Sequence, residues 1–224
     1  MQKYVIIVAG GRGNRFNSAV PKQFVKLLNL PVLMHTILAF YNYSPSIKII
    51  IVLPEDQFKY WEKLCLKYNF SIPHRVVNGG VHRFHSVKNG LSLVGKNSLV
   101  AVHDGVRPLI DAKTIDECFK MAENEGNAIP VVEPVDSIRE LMNDGSNKVV
   151  DRQKFRLIQT PQVFKSDLIQ LAYKQEYNNS FTDDAGVFET CFPGTIKLVE
   201  GNRQNIKITT PEDLIYAKAI LKNR

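Results

Sequence analysis

Short apolar runs alternate with segments of helical periodicity along this chain. The runs are compact and rich in β-branched residues, as strands are when both faces of their sheet are covered. These predicted strands span 4–9, 47–53, 75–78, 98–103 and 128–132. The predicted helices between them span 32–41, 55–68, 83–93 and 112–125. This alternation predicts an α/β fold with a mostly parallel sheet, right-handed crossovers and helices on both faces.

Three loops follow predicted strands and carry the residues of chemical interest. The first is a glycine-rich loop after residue 9, the second begins at Gly79-Gly80, and the third is the segment 103–108. In open α/β sheets, ligands bind beyond the carboxyl ends of the strands. We therefore expect a ligand site where these loops meet.

The glycine-rich loop reads Gly10-Gly11-Arg12-Gly13-Asn14-Arg15, and Lys22 follows shortly after it. Glycine lets a backbone approach an anion closely, and successive N–H groups in such a loop form a concavity for phosphate oxygens. Arginine and lysine side chains add charge-assisted hydrogen bonds to the same anion. The loop lacks the third glycine of the dinucleotide fingerprint and the spacing of a P-loop. The pattern favours a polyphosphate site, with a plain tight turn as the alternative.

One segment departs from the α/β pattern. Two extended runs, 137–141 and 148–152, flank Asn143-Asp144-Gly145, and Asp-Gly between such runs predicts a hairpin. A lone hairpin is marginally stable in water, so we expect this arm, about 136–156, to pack on a second subunit.

The last part of the chain is predicted to contain a helix near 166–177, an acidic loop at Thr182-Asp183-Asp184, a short helix and a strand at 195–200. Thr210, Pro211 and Asp213 fit the capped start of a final helix. Lys207 precedes it in a short apolar segment that we predict as a strand, where its side chain needs a polar outlet.

Composition narrows the class of protein. The 224 residues predict a single domain over 1–224, and no apolar run is long enough to span a membrane, so we expect a cytoplasmic protein. Cys65, Cys118 and Cys191 are too dispersed for a disulfide framework or a zinc site. The net charge of +7 favours anionic partners. Because the basic residues are spread out and no nucleic-acid motif occurs, we assign this charge to phosphate ligands rather than nucleic acid.

Six short motifs then identify a family. They are Ala9-Gly10-Gly11-x-Gly13-x-Arg15, Pro21-Lys22-Gln23, His103-Asp104-x-x-Arg107-Pro108, Thr160-Pro161-Gln162, Thr182-Asp183 and Asn205-Ile206-Lys207-Ile208-Thr209. Together they resemble the 2-C-methyl-D-erythritol 4-phosphate cytidylyltransferases of the non-mevalonate isoprenoid pathway. The resemblance runs from about residue 3 to the C-terminus.

The resemblance implies a Rossmann-like fold and a CTP-dependent nucleotidyltransferase that works with Mg²⁺ as a homodimer, the hairpin being the dimer arm. It implies that cytidylyl transfer to methylerythritol phosphate yields 4-diphosphocytidyl-2-C-methyl-D-erythritol and pyrophosphate.

The resemblance also assigns roles to residues. The implied catalytic cations are Arg15, Lys22, Arg152 and Lys207. Nucleotide binding is implied for Ala9, Gly10, Gly11, Gly13, Gly80, Ser86, Asp104 and Gly105, with Asp104 also near the metal. Acceptor binding is implied for Arg107, Ser137, Arg152, Thr160, Thr182 and Lys207, with Arg152 contributed by either subunit.

Two alternatives stay open at this point. Ribitol 5-phosphate cytidylyltransferases share most of these motifs, and the segment 200–207 looks more like the isoprenoid branch. A non-catalytic nucleotide- or nucleic-acid-binding module is the alternative from another class. The four cations argue against it, because binding alone does not require all of them.

Overall fold

The computed structural model describes residues 1–11, 16 and 20–223 of the protein. An eight-stranded sheet forms its centre. The strands are β1 (Gln2–Val8), β2 (Lys26–Leu27), β3 (Leu30–Pro31), β4 (Lys48–Leu53), β5 (Arg75–Asn78), β6 (Ser98–Asp104), β7 (Asn127–Val132), β8 (Ile138–Leu141), β9 (Asn147–Val150), β10 (Leu157–Ile158), β11 (Gln162–Lys165) and β12 (Leu198–Glu200). The five predicted strands are confirmed as β1, β4, β5, β6 and β7, with small shifts at their ends.

Helices cover this sheet on both faces. They are α1 (Val32–Tyr43), α2 (Phe58–Lys67), α3 (Arg83–Leu91), α4 (Ala112–Glu125), α5 (Ser166–Ala172), α6 (Asp184–Cys191) and α7 (Pro211–Lys222). Short 3₁₀ turns occur at Lys22–Phe24, Glu55–Gln57 and Arg152–Lys154. The predicted helix at 166–177 is shorter than expected, because the Gln175 side chain, rather than a further turn, donates to the Ala172 carbonyl.

Strand β1 shows how the two faces are built. Val5 and Ile7 pack with α1, α2 and α4, whereas Ile6 packs with α3, α5 and α6. All three side chains are fully buried, and each such burial stabilises the fold by roughly 1.5–3 kcal/mol. Successive side chains of a strand point to opposite faces, so a continuous apolar run is what this two-sided position requires. The predicted Rossmann-like α/β class is confirmed.

The sheet follows the order β10-β7-β11-β6-β1-β4-β5, with β12 beside β7 at the edge. Strands β6, β1, β4 and β5 are parallel to their neighbours in this series, whereas β11 runs antiparallel between β6 and β7. The sequence did not predict β11, because a buried glutamine opens this four-residue strand and a lysine closes it. Gln162 is buried because its amide bonds Asp183 and the Ala185 N–H.

The arm is present as β8 and β9, which pair with each other as a separate two-stranded sheet. Its turn contains Gly145 at φ +82°, a left-handed conformation that favours glycine. Lys148 Nζ lies 3.0 Å from Glu140 Oε2 across the strands. Leu141 and Val149 are 80% and 72% exposed, so the arm carries apolar side chains that its own chain leaves uncovered.

The C-terminal segment differs from its prediction in one respect. Residues 205–209 form irregular chain rather than a strand, because among their backbone N–H groups only that of Ile208 donates to a distant backbone carbonyl, Val106 O (2.9 Å). Lys207 therefore lies on an irregular segment beside β6.

Along the described part of the chain, no helix has both the length and the apolar character needed to cross a bilayer.

Helix α7 begins with the predicted cap. The Thr210 hydroxyl accepts from the Asp213 N–H, and Asp213 Oδ2 accepts from the Thr210 N–H (2.8 Å) and the Thr209 N–H (2.7 Å). The cap satisfies N–H groups that the first turn leaves without helical partners. The cap also holds the backbone at Thr210, three residues after Lys207.

We expect Thr210→Ala to lower the free energy of unfolding by about 1 kcal/mol, the usual cost of losing an N-cap. Thr210→Ser is the matched control, since it keeps the hydroxyl. Urea titrations of the three proteins make the comparison, and equal midpoints for the alanine and serine variants would contradict the capping role.

Candidate functional site

The carboxyl ends of β1, β4, β5 and β6 meet at one edge of the sheet, where they surround a cavity of about 370 Å³. The turn after β1, the loop after β5, the end of β6 and the 205–209 segment all contribute to its wall. The lining residues are Val8, Ala9, Gly10, Gly11, Lys22, Gln23, Gly80, Val81, His82, Arg83, Ser86, Asp104, Val106 and Lys207.

Backbone hydrogen bonds hold the turn after β1 against its neighbours. The Ala9 N–H donates to Val52 O (2.9 Å), and the Gly105 N–H donates to Val8 O (2.8 Å). A Cβ on Gly105 would lie 2.8 Å from the Ala9 Cβ and 3.2 Å from Val8 O. Glycine at 105 therefore permits the close approach of the loop after β6 to the floor of the cavity.

The loop after β5 is fixed by Ser86. Its Oγ accepts from the Gly80 N–H (3.0 Å) and donates to His82 O (3.2 Å). A Cβ on Gly80 would lie 2.3 Å from the His85 Cβ, so no larger residue fits without a shift of the backbone. Ser86 is buried, and its main contribution is to the shape of this wall.

Asp104 lies at the end of β6 with two cations on one carboxylate oxygen. Its Oδ2 is 3.0 Å from Arg107 Nε and 3.1 Å from Lys207 Nζ. Burial by itself raises the pKa of a carboxyl, but Lys207, Arg83 and Arg107 outweigh it and hold the pKa of Asp104 well below its usual range. The cavity therefore contains a carboxylate that is ionised near neutral pH.

A hydrogen-bonded chain supports Asp104 from behind. The Asp104 N–H donates to Thr160 Oγ1 (3.1 Å), and Thr160 Oγ1 is hydrogen-bonded to His103 Nδ1 (3.0 Å). The His103 Nε2–H then donates to the Arg107 carbonyl (3.1 Å). A carbonyl can only accept, so Nε2 carries a proton. Burial lowers the pKa of His103 to about 4, so the imidazole is neutral near pH 7 and its Nδ1 then accepts from the Thr160 hydroxyl.

Lys22 enters the cavity from a 3₁₀ turn that the core anchors. Gln23 is buried, and its Nε2 donates to Gln57 Oε1 (2.8 Å). Phe24 stacks on Trp61 at a centroid distance of 6.1 Å. Both contacts hold the 3₁₀ turn in place, and with it the Lys22 side chain, which lies next to the glycine turn Gly10-Gly11.

Sequence reasoning missed an ion pair that begins in the cavity wall at Arg83. Arg83 donates to both oxygens of Asp184, at 2.8 Å and 2.6 Å, and Asp184 is fully buried. The signals in the sequence were a second aspartate after Thr182-Asp183 and an arginine at the start of a helix. Neither indicated the other as its partner.

The structure brings most of the predicted nucleotide residues together. Ala9, Gly10, Gly11, Lys22, Gly80, Ser86, Asp104 and Lys207 line the cavity. Gly105 lies under it and Arg107 bonds Asp104 and the Asn205 carbonyl. Arg12, Gly13 and Arg15 lie outside the described residues.

The other predicted acceptor residues lie elsewhere in this chain. Thr160 is behind Asp104 rather than in the cavity, and Thr182 is exposed on the loop before α6. Ser137 and Arg152 are exposed at the base of the arm, where Arg152 donates to the Val135 carbonyl. Within one chain, these two do not reach the cavity wall as described.

Known proteins resemble this chain over nearly its full length. The family model of 2-C-methyl-D-erythritol 4-phosphate cytidylyltransferase, IspD, matches residues 3–223. The enzyme of that name from Azobacteroides pseudotrichonymphae is 52% identical, over 98% of this chain and 99% of the relative. The one from Bacteroides thetaiotaomicron is 49% identical, over 99% of this chain and 100% of the relative.

A solved structure agrees with these sequence matches. The 4-diphosphocytidyl-2C-methyl-D-erythritol synthase of Anaerococcus prevotii has a TM-score of 0.83 and 28% identity, covering 99% of this chain and 98% of that one.

The chain behind Asp104 gives a pH prediction. His103 has a pKa of about 4, against 6.5 for a free histidine. Between these values the unfolded chain binds a proton that the folded protein does not, so His103 makes stability fall as the pH drops from 6.5 toward 4. NMR titration of the histidine ring protons, with His103→Gln to assign the signal, measures this pKa. A midpoint near 6.5 would contradict the buried neutral imidazole.

Proposed function

Because the chain belongs to the 2-C-methyl-D-erythritol 4-phosphate cytidylyltransferase family, we propose that it transfers the cytidylyl group of CTP to 2-C-methyl-D-erythritol 4-phosphate. A phosphate oxygen of the acceptor attacks the α-phosphorus of CTP. The bond between that phosphorus and the oxygen bridging to the β-phosphate breaks, and pyrophosphate leaves. The products are 4-diphosphocytidyl-2-C-methyl-D-erythritol and pyrophosphate.

The observation that carries this proposal is the cavity at the carboxyl edge of the sheet, where a glycine turn, Lys22 and Lys207 converge beside an ionised Asp104. The acceptor phosphate is already anionic near neutral pH, so the reaction needs no strong general base. Its barrier comes from bringing two anions together and from the charge that grows on the α-phosphate. Fixed N–H groups and cations lower such a barrier by positioning and electrostatics.

Lys207 suits both substrates. Its side chain is 43% exposed, and one ammonium N–H is directed to Asp104 at 3.1 Å. An ammonium has three donors, so two remain for phosphate oxygens of CTP or of the acceptor. Because Asp104 fixes the ammonium at the cavity, the positive charge is in place before the charge on the phosphate grows.

Asp104 also fits a role in holding Mg²⁺. The described residues contain no cluster of three or more metal-ligating side chains, so the protein would supply this one carboxylate and CTP the phosphate oxygens. Mg²⁺ is often bound in this way, by one or two carboxylates together with substrate phosphates. Bound there, the ion would neutralise charge on the triphosphate.

We propose that the acceptor is held between two subunits. Lys207 and Thr182 belong to one chain, and Ser137 and Arg152 would come from the arm of the second. The support is the arm itself, an isolated hairpin with exposed Leu141 and Val149, which a second subunit would cover. Arg107 and Thr160 then act through Asp104, which they hold in place. The cytoplasmic location stays a prediction.

Pyrophosphate release by the purified protein tests the function directly. CTP and Mg²⁺ are supplied with methylerythritol 4-phosphate in one reaction and ribitol 5-phosphate in another. Release with the first acceptor alone is expected. Release with ribitol phosphate alone would assign the polyol branch instead, and CTP binding without release in either reaction would leave a binding module.

Removing Lys207 tests the proposed electrostatic role. Lys207→Ala should lower kcat by at least about 10²-fold, the usual cost of losing a preorganised donor at developing charge, and Lys22→Ala should do the same. Lys218→Ala, on the exposed face of α7, is the matched control and should keep full activity. Steady-state kinetics on variants with wild-type circular dichroism decide the matter. Near-wild-type turnover in folded Lys207→Ala would exclude the role.

Arg152 gives a separate prediction about the acceptor. Arg152→Ala should raise KM for the sugar phosphate far more than KM for CTP, and Arg152→Lys should rescue little because it lacks the bidentate fork. Equal effects on both substrates would refute the assignment.

Mixed dimers test whether Arg152 acts across the interface. A dimer of one Arg152→Ala subunit and one Lys207→Ala subunit has one intact site only if Arg152 serves the neighbour. Co-expression with two affinity tags isolates this dimer, and its activity should exceed that of either variant alone. A monomer by light scattering at micromolar concentration would remove the basis for this arrangement.

A further inference from the structure

The Arg83–Asp184 pair joins two segments that are 101 positions apart in the chain. Arg83 is the first residue of α3 and Asp184 the first residue of α6. The Tyr173 hydroxyl donates a third hydrogen bond to Asp184 Oδ1 at 2.6 Å. Three strong donors therefore satisfy a carboxylate that has no contact with solvent.

The arginine end of the pair belongs to the cavity. Arg83 lines the cavity together with Gly80 and Ser86, and its side chain is 28% exposed. Asp184 uses two of the five guanidinium N–H groups, so three remain for other acceptors. The pair thus fixes one face of Arg83 and leaves the other directed away from Asp184.

The aspartate end belongs to the loop that carries Thr182, two residues earlier. This loop has a second tether on β11, where Gln162 Nε2 donates to Asp183 Oδ2 (2.8 Å) and Gln162 Oε1 accepts from the Ala185 N–H (2.8 Å). The Thr182 loop is consequently held from the sheet on one side and from the cavity wall on the other. Two contacts connect it to the nucleotide side of the cavity: the Arg83 tether, and Phe181, whose ring stacks on Phe84 of α3 at a centroid distance of 5.6 Å.

A buried ion pair is weak evidence for a stabilising role, because packed apolar side chains often replace one without loss. Removal of one partner is costly, because it leaves the other charge buried and unpaired. The benefit that apolar residues could not supply here is orientation, since a bidentate fork fixes both the distance and the angle between two segments.

We propose that the Arg83–Asp184 pair positions the acceptor loop against the nucleotide wall, so that Thr182 is set at a fixed distance from the bound nucleotide. This inference rests on the proposed function. Arg83 and Asp184 are thereby positioning residues, and their loss should weaken binding of the sugar phosphate more than binding of CTP.

Steady-state kinetics of Asp184→Asn with both substrates test the proposal, since asparagine keeps the shape and removes the charge. We expect KM for the sugar phosphate to rise at least about tenfold, and more than KM for CTP. Tyr173→Phe is the matched control, because it removes a hydrogen bond from the same carboxylate and leaves the bidentate pair. It should lower the thermal midpoint while both KM values stay within about twofold of the wild type.

An apolar replacement of the whole pair separates positioning from stability. In Arg83→Met with Asp184→Leu, we expect the thermal midpoint to return toward the wild type while KM for the sugar phosphate stays raised. Recovery of KM together with stability would overturn the proposal, as would wild-type KM values in folded Asp184→Asn. If these variants do not fold, Arg83→Lys keeps the charge without the fork and should show the same raised KM, and a wild-type KM there would overturn the proposal. Absence of turnover in the wild type would instead refute the proposed function.

Discussion

The contact between Asp104 and its two cations determines how the rest of the site is arranged. A carboxylate this deeply buried is tolerated only because Lys207 and Arg107 each lie about 3 Å from one of its oxygens. The same contact draws the 205–209 segment onto the end of β6, and Arg107 bonds the Asn205 carbonyl to complete the closure. Asp104 thus organises a segment that joins no sheet of its own, through its ion pairs with Arg107 and Lys207.

The close approach of one backbone segment to another is the second constraint, and glycine permits it at two positions. Gly105 allows the β6 loop to contact the turn after β1, and Gly80 allows the β5 loop to lie on α3. Asp104 and Ser86 lie next to these close contacts. Ser86 and Thr160 are hydroxyl residues of the kind that often bind substrates, yet here both are largely occupied with holding the backbone.

The sequence was informative where the physical signal is local. Apolar runs predicted the buried strands, Thr210 and Asp213 predicted a cap, and Gly10, Gly11 and Asp104 marked the edge of the sheet where the cavity lies. It was uninformative where the cause lies in distant partners. The strand β11 begins with a polar residue because Gln162 bonds Asp183 and the Ala185 N–H, and Arg83 meets Asp184 only after folding. Lys207 was expected in a strand because its neighbours are apolar, but those neighbours pack under α7 and leave Lys207 on irregular chain.

The antiparallel direction of β11 has a consequence for where this protein can meet other molecules. Strand β7 runs the same way as β6, so the chain leaves β7 at the edge that holds the cavity and builds the arm. It then returns at that same edge, first through β10 beside β7 and then through β11. An ordinary parallel crossover would have carried the chain to the far edge before the next strand began. The reversed strand therefore places both ends of the arm on the side of the sheet where the cavity lies, so a molecule that bound the base of the arm would be on the same side of the sheet as the cavity.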